Sequence, residues 1–190
     1  MSLKLKYILS LSAKFTYFES ARILYQRQQL YKIICGYPWL KLKNEKIPKS
    51  LVSSNGIYNI LKKPFLDLSF AKNYLDWLGI LNKKNIDNKT LKFIEKNNEF
   101  DVLLGLAGVA LRSAKKAIEM NKIFVCERSS SEIGFQNQLL SDEYKSLNLE
   151  FNKTNKWFIE TEREEYEMAD IILAPSNFVK NSFRNKLKEK

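Results

Sequence analysis

The hydrophobic period of this chain changes back and forth after residue 100, and that alternation limits the fold more than any other feature. Asp101 to Leu106, Ile123 to Cys126 and Ile171 to Ala174 are short apolar runs of strand length. Between and after them, Val109 to Met120, Ser131 to Leu147, Asn155 to Asp170 and Asn177 to Leu187 carry helical spacing, the last with Ser176 as a natural N-cap. Strands that take turns with helices build a parallel sheet with helices on both faces and right-handed crossovers.

The beginning of the chain fits the same scheme. Tyr7 to Ser12 reads as a buried strand, Phe15 to Leu30 as a helix, and Tyr31 to Cys35 as a second strand closed by the turn Gly36 to Pro38. The expected fold class is therefore α/β, a Rossmann-like parallel sheet in a single domain. Trp39 to Glu99 is less regular. Leu51 to Ser53 reads as a short strand, and Pro64 breaks the pattern after it. Phe65 to Leu81 reads as a helix with Leu66, Phe70, Leu75, Trp77 and Leu78 available for burial, and Thr90 to Lys96 as another.

With 190 residues, 45% of them hydrophobic, the chain can bury one sizeable core. No apolar run approaches the roughly 20 residues that span a bilayer. The opening MSLKLKYILSLSAKF reads as a first strand, because its apolar part is short and alternating and no small-residue cleavage site comes after it. Cys35 and Cys126 are isolated, and there is no histidine, which argues for structural thiols in a reducing cytoplasm and against a zinc site.

The charge is unevenly placed. Residues 1–95 hold 17 Lys+Arg against 6 Asp+Glu, and residues 96–190 hold 15 against 15, so the net +11 lies wholly in the first half. A basic half suits an anionic partner such as a phospholipid surface; a lysine-rich coding bias explains it equally well. No aromatic-basic signature of a nucleic-acid module accompanies the lysines, so no specific nucleic-acid partner is expected.

Ligands of parallel sheets sit outside the carboxyl ends of the strands, and three such ends are candidates here. In the first, SLSAKFTYF, Lys14 and Phe15 occupy a turn without glycine, so a pyrophosphate-binding GxGxxG is absent and Lys14 faces either an anion or solvent. In the second, LGLAGVALRSAKKA, Gly105 and Gly108 flank a strand-to-helix turn, allowing close packing or close approach of a ligand. In the third, CERSSSEIGF, Arg128 offers a planar fork of donors, and Ser129, Ser130 and Ser131 offer hydroxyls at a helix start. Helix capping, with Arg128 paired to Glu127 or Glu132, explains that third stretch equally well. Among the acids of NKWFIETEREEYEMAD, Glu165 is the one expected to face inward, beside Tyr166 and ahead of Ala169.

Three of these stretches, FDVLLGLAGVALRSAKKA, CERSSSEIGFQNQLLSDEY and EREEYEMADIILAPSNFVKNSF, resemble the amino-terminal half of a family 4 glycosyltransferase. That family carries, in the same order, a strand and helix with a GL-G-SL-A pattern, an RGSSH turn followed by Q…L..EY, and E…EY..AD.I..PS.FV..SF. Its GKFH.F.LAR.L and T.YP.FK are similar to AKFTYFESARIL and ICGYPWLK here. The resemblance implies one half of a GT-B fold, in which two Rossmann-like domains face a cleft. The amino-terminal domain holds the acceptor; the carboxyl-terminal domain holds the nucleotide-sugar and carries paired glutamates. Transfer in that family retains anomeric configuration and takes no metal or cofactor, the nucleotide-sugar being a co-substrate.

By this resemblance Lys14, Phe15, Arg128, Ser129, Ser130 and Ser131 line the cleft. Where the family has glycine and histidine in its first turn, this chain has Ala13 and Thr16; where RGSSH has glycine and histidine, it has Ser129 and Glu132. Lys190 falls about where the linker to the second domain should begin, so residues 1–190 are expected to be the acceptor-side domain, truncated or split from the donor-binding half and inactive alone. The expected role is polysaccharide biosynthesis on a saccharide or lipid-linked acceptor, in the cytoplasm or at the inner membrane face, with a donor-domain chain as partner. The alternative is a non-enzymatic glycan-binding or regulatory module, peripheral at an anionic membrane, with Trp39, Trp77 and the segment Phe65 to Leu81 docked on lipid.

Overall fold

The computed structural model describes residues 4–190 apart from 13, 15, 16, 67, 185, 186 and 188, and the backbone only of Ser69. The described residues form six strands: β1 (Tyr7–Leu11), β2 (Leu30–Cys35), β3 (Val52–Ser54), β4 (Val102–Leu106), β5 (Ile123–Glu127) and β6 (Ile171–Leu173). They lie in one sheet, order β3-β2-β1-β4-β5-β6, and each neighbouring pair is parallel. This is the order of a Rossmann-like half, with the strand sequence reversing direction between β1 and β4.

The strands are short and nearly continuously apolar because both faces are covered. Side chains alternate between the faces. Leu9, Leu11, Ile33, Cys35, Leu104 and Val125 enter one core with Tyr17, Phe18 and Ala21 of α1 (Tyr17–Gln26). Ile8, Ile34, Leu103, Phe124 and Cys126 enter the other, with α3 (Lys72–Ile94), α4 (Leu111–Glu119) and α6 (Lys156–Met168). The remaining helices are α2 (Ile57–Lys62), α5 (Ile133–Ser146) and α7 (Asn177–Ser182). Ser176 caps α7 as expected, accepting from the Val179 amide at 3.3 Å.

Three features differ from expectation, two of them element boundaries. The first helix ends at Gln26, since Leu30 already pairs with Tyr7 as sheet. Residues 90–96 are no separate helix: α3 runs unbroken from Lys72 to Ile94, because Asn82, Asp87 and Thr90 are polar residues on its buried face and hide its apolar period. Thr90 belongs inside because its hydroxyl meets that of Ser10 on β1 at 3.0 Å. The third difference concerns the core of the irregular region. Helical spacing puts Leu66, Phe70 and Trp77 inside; instead they stand in solvent, Phe70 being 82% exposed. Ile171 and Leu173 on the edge strand are also exposed. Both cysteines are buried free thiols, held by burial above the usual thiol range, Cys35 at about 11.

A crevice at the strand reversal with its charges already paired

Where strand order reverses, the chain leaves β1 and β4 toward opposite faces, and the carboxyl ends of these two strands are where a sheet of this order is expected to form its ligand crevice. Its rim comprises Ser12 and Lys14 after β1, Ala107 and Gly108 after β4, and Glu127 to Ser131 at the end of β5. The hydroxyl of Tyr17, from the first turn of α1, sits near Ser129, Glu127 and Arg128. Burial raises the pKa of that tyrosine.

The turn after β4 is shaped by glycine and held by acids. Gly108 has φ +83, in the left-handed region, and a Cβ there would strike Lys83 Nζ and lie 3.3 Å from Glu162 Cγ. At Gly105 an added Cβ would lie 2.5 Å from that of Ala110, so this glycine lets the turn fold back on its strand. Glu165 reaches up from α6, fully buried, and takes the amides of Gly108 and Ala110, the latter at 2.8 Å. Burial pushes its carboxyl up to about 8, against the pull of those two amides and of Lys83. Asp87 on α3 accepts the next amides, those of Arg112 and Ser113, each at 2.8 Å. The N-terminus of α4, which points toward the crevice, is thus occupied by two carboxylates of the chain itself.

Arg128 is equally committed. Its guanidinium is mostly buried and meets Glu162 at 2.9 Å, the Ser131 carbonyl at 3.0 Å and Gln136 at 2.9 Å. The sequence suggested Glu127 or Glu132 as its partner; the structure gives Glu162, one helical turn before Tyr166, whose hydroxyl donates to the same carboxylate at 2.8 Å. Lys83 completes the group, 3.4 Å from Glu162 and 3.1 Å from the Ala107 carbonyl. Glu132 caps α5 by accepting from Phe135 at 2.7 Å and pairs with Arg163 at 2.9 Å, contacts that hold its pKa down against burial. Lys14 lies 2.5 Å from Glu45, which also binds Arg22 at 2.6 Å.

What remains unpaired is Glu127. Its carboxyl has no hydrogen-bond or ion-pair partner among the described residues, and burial raises it to about 7. Beside it Ser129 is exposed and Ser130 half-buried, whereas Ser131 is buried. Of the residues singled out in the sequence, Lys14, Gly108, Arg128 and the three serines follow the carboxyl ends of β1, β4 and β5; Gly108 and Arg128 share Glu162 as a neighbour, whereas Lys14 is held by Glu45. Gly105 and Glu165 lie beneath the rim, and Phe15 is outside the described residues. The sequence reading named Glu127 only as a partner for Arg128, and did not single out Glu162 or Tyr17 as site residues. Glu162 was traceable: it lies three before Glu165 and four before Tyr166, on the same helix face. A cavity of about 570 Å³ opens at the carboxyl end of β6, lined by Leu173, Asn177, Lys180 and Phe183 among others. It lies at the sheet edge, away from the strand reversal, and Ser176 on its wall is spent on capping α7.

No protein-family model matches the chain, and no curated protein matches its sequence. Its fold is similar to that of Phytolacca americana UGT2, solved in complex with UDP-2-fluoro-glucose and pterostilbene, with a TM-score of 0.50 at 10% identity. The similarity covers 93% of this chain and 49% of that one, so the chain spans about half the length of the structure it matches. The shared fold is a Rossmann-like parallel sheet with helices on both faces, like one half of that structure.

Proposed function

We propose that this chain is the acceptor-side half of a retaining glycosyltransferase, moving a sugar from a nucleotide-sugar to a saccharide or lipid-linked acceptor, and that it is inactive alone. One observation carries this reading. At the strand ends the cations Lys14, Lys83 and Arg128 and the amides of α4 and α5 are already held by the chain's own carboxylates. A pyrophosphate needs free amides and cations, so this crevice suits a neutral, hydroxylated ligand instead. The open groups, Glu127, Ser129 and Ser130, are those that bind sugar hydroxyls.

In this reading Lys14, Gly108, Ser129 and Ser130 line the acceptor site. Gly105, Arg128, Ser131 and Glu165 hold its walls. With a pKa near 7, Glu127 is partly ionised at neutral pH and can take the proton of an acceptor hydroxyl. Donors that stabilise the departing nucleoside diphosphate would come from a second Rossmann-like unit, on this polypeptide or on a donor-domain chain. No cofactor enters; the nucleotide-sugar is a co-substrate. The buried free thiols suit the cytoplasm, and polysaccharide biosynthesis is the setting we favour.

The same paired charges suit a second reading, a glycan-binding or regulatory module that never transfers sugar. One set of assays tests both. The chain alone should bind a saccharide, about ten-fold or more weakly as Glu127→Gln, and should leave UDP- and GDP-sugars intact. Turnover of a nucleotide-sugar by the chain alone, or no saccharide binding, contradicts the proposal. Transfer that appears only when a donor-domain chain is added separates the enzyme from the module.

A further inference from the structure

Apart from Ile23 and Tyr25 on α1, the exposed large apolar residues of the first half all fall between Leu40 and Trp77. Lys83 touches the Ala107 carbonyl just past β4, and the Asn82 amide sits against Gly36 just past β2. The carboxyl ends of the strands are therefore level with residues 82–83 of α3. The ten helical residues before them, Lys72 to Leu81, rise roughly 15 Å beyond the sheet at 1.5 Å per residue. Packed on this overhang are α2 and the 3₁₀ turns Lys63–Phe65 and Ser69–Ala71. Phe65 meets Tyr74 at 4.9 Å between ring centroids, Tyr74 meets Trp77 at 5.9 Å, and a groove of about 320 Å³ opens between Phe65, Phe70, Ala71 and Tyr74.

The outer surface of this shelf is apolar. Phe70, Leu66, Ile60 and Trp77 are 82%, 61%, 60% and 54% exposed, and Ile57, Leu61 and Leu68 are exposed beside them. Leu40, on the adjoining turn that reaches α2 through Pro38 and Gly56, is exposed as well. Lys41 and Lys63 are exposed among these residues, and Lys62 is held below its usual pKa by burial. The shelf belongs to residues 1–95, which carry the whole net charge of +11. No helix among the described residues is long and apolar enough to cross a membrane.

We infer that this shelf seats on an anionic phospholipid surface, with Leu66, Phe70 and Trp77 entering the headgroup boundary and Lys41 and Lys63 facing lipid phosphates. An apolar face rimmed by lysines binds such a surface by area and by charge together. The inference does not depend on sugar transfer. Because the shelf overhangs the same end of the sheet as the crevice, it would bring the crevice to the lipid, which favours a lipid-linked acceptor if the chain acts on one.

The test is co-sedimentation of the 190-residue protein with vesicles of phosphatidylcholine, with or without one-third phosphatidylglycerol, at physiological salt. The protein should pellet with the anionic vesicles at least ten-fold better than with the neutral ones. Leu66→Ser with Phe70→Ser should lower the partition about ten-fold or more, and each of Lys41→Gln and Lys63→Gln about five-fold. All four side chains are exposed, so an unchanged far-ultraviolet spectrum confirms that the variants fold. Leu147→Ser with Leu149→Ser alters an exposed apolar pair just past α5, at the other end of that helix from the crevice, and should change nothing. Equal binding to neutral vesicles, self-association in place of vesicle binding, or shelf variants that pellet like the parent would overturn the inference.

Discussion

Glu165 accepts the amide of Ala110 at 2.8 Å and that of Gly108 with its other oxygen, so one buried carboxylate of α6 ties down the turn that leads from β4 into α4. Removing it leaves two buried donors without acceptors, at about 1–3 kcal/mol each. Glu165→Ala should therefore destabilise the protein by about 3–5 kcal/mol and lower Tm by about 10 °C, given a few degrees per kcal/mol for a chain of this size. Glu165→Gln keeps one acceptor oxygen and should recover only part of the loss. A Tm within two or three degrees of the parent (~1 kcal/mol) for Glu165→Ala would contradict this account of the turn.

Arg128 and Glu162 form a buried pair, and breaking one side of it is worse than losing both. Arg128→Met leaves Glu162 with Lys83 and Tyr166 only and should cost about 3–5 kcal/mol. Adding Glu162→Gln should restore part of that, so the double variant is more stable than the sum of the singles predicts. Urea denaturation of the four proteins measures the coupling. Additive losses would mean that the pair is not a unit.

Stability should fall as pH rises from about 5 to about 8.5. In the unfolded chain Glu127 and Glu165 titrate near 4.5, while in the folded chain burial raises them to about 7 and about 8. The folded state holds protons that the unfolded state has released, so their contribution is full below 4.5 and is lost through those higher values. Glu132 has the opposite sign. Its pKa is lowered, so its contribution is present above its unfolded value and lost as pH falls through the folded one. Urea midpoints at pH 5.5, 7.0 and 8.5 should decline in that order, and Glu127→Gln should flatten the first step. Midpoints that stay level or rise would show that Glu127 and Glu165 titrate as ordinary carboxylates.

Gly108 is under two constraints, its φ of +83 and the Lys83 ammonium that fills the space of a Cβ. Gly108→Ala should cost about 2–3 kcal/mol, more than an exposed glycine in a helix would. It should also displace Lys83 from Glu162. Thermal melts measure the loss, and an unchanged Tm would mean that the turn relaxes freely.

The sheet was legible because buried parallel strands leave short apolar runs that few other structures produce. β1, β4, β5 and β6 were placed to within a residue or two. The α3 region was not legible, for opposite reasons at its two ends. Asn82, Asp87 and Thr90 are polar yet buried, Asp87 taking backbone amides and Thr90 bonding a backbone carbonyl, so the apolar period fades. Leu66, Phe70 and Trp77 are apolar yet exposed, so the pattern suggests a core where there is a surface. At the crevice, the sequence could name Arg128 and the serines as ligand-ready groups. It could not show that Arg128 is spent on Glu162, because that pairing spans 34 residues and exists only once α6 packs beside β5.

The central claim is that the crevice takes a neutral sugar and no nucleotide. Amide shifts of nitrogen-15-labelled protein, titrated in parallel with an oligosaccharide mixture and with UDP-glucose, test it most directly. The account predicts saturable shifts at Ser12, Lys14, Gly108 and Glu127 to Ser130 with the saccharides, weakened in Glu127→Gln, and none at these amides with UDP-glucose. Saccharide shifts confined to other surfaces, or UDP-glucose shifts centred on Gly108 and Arg128, would contradict it.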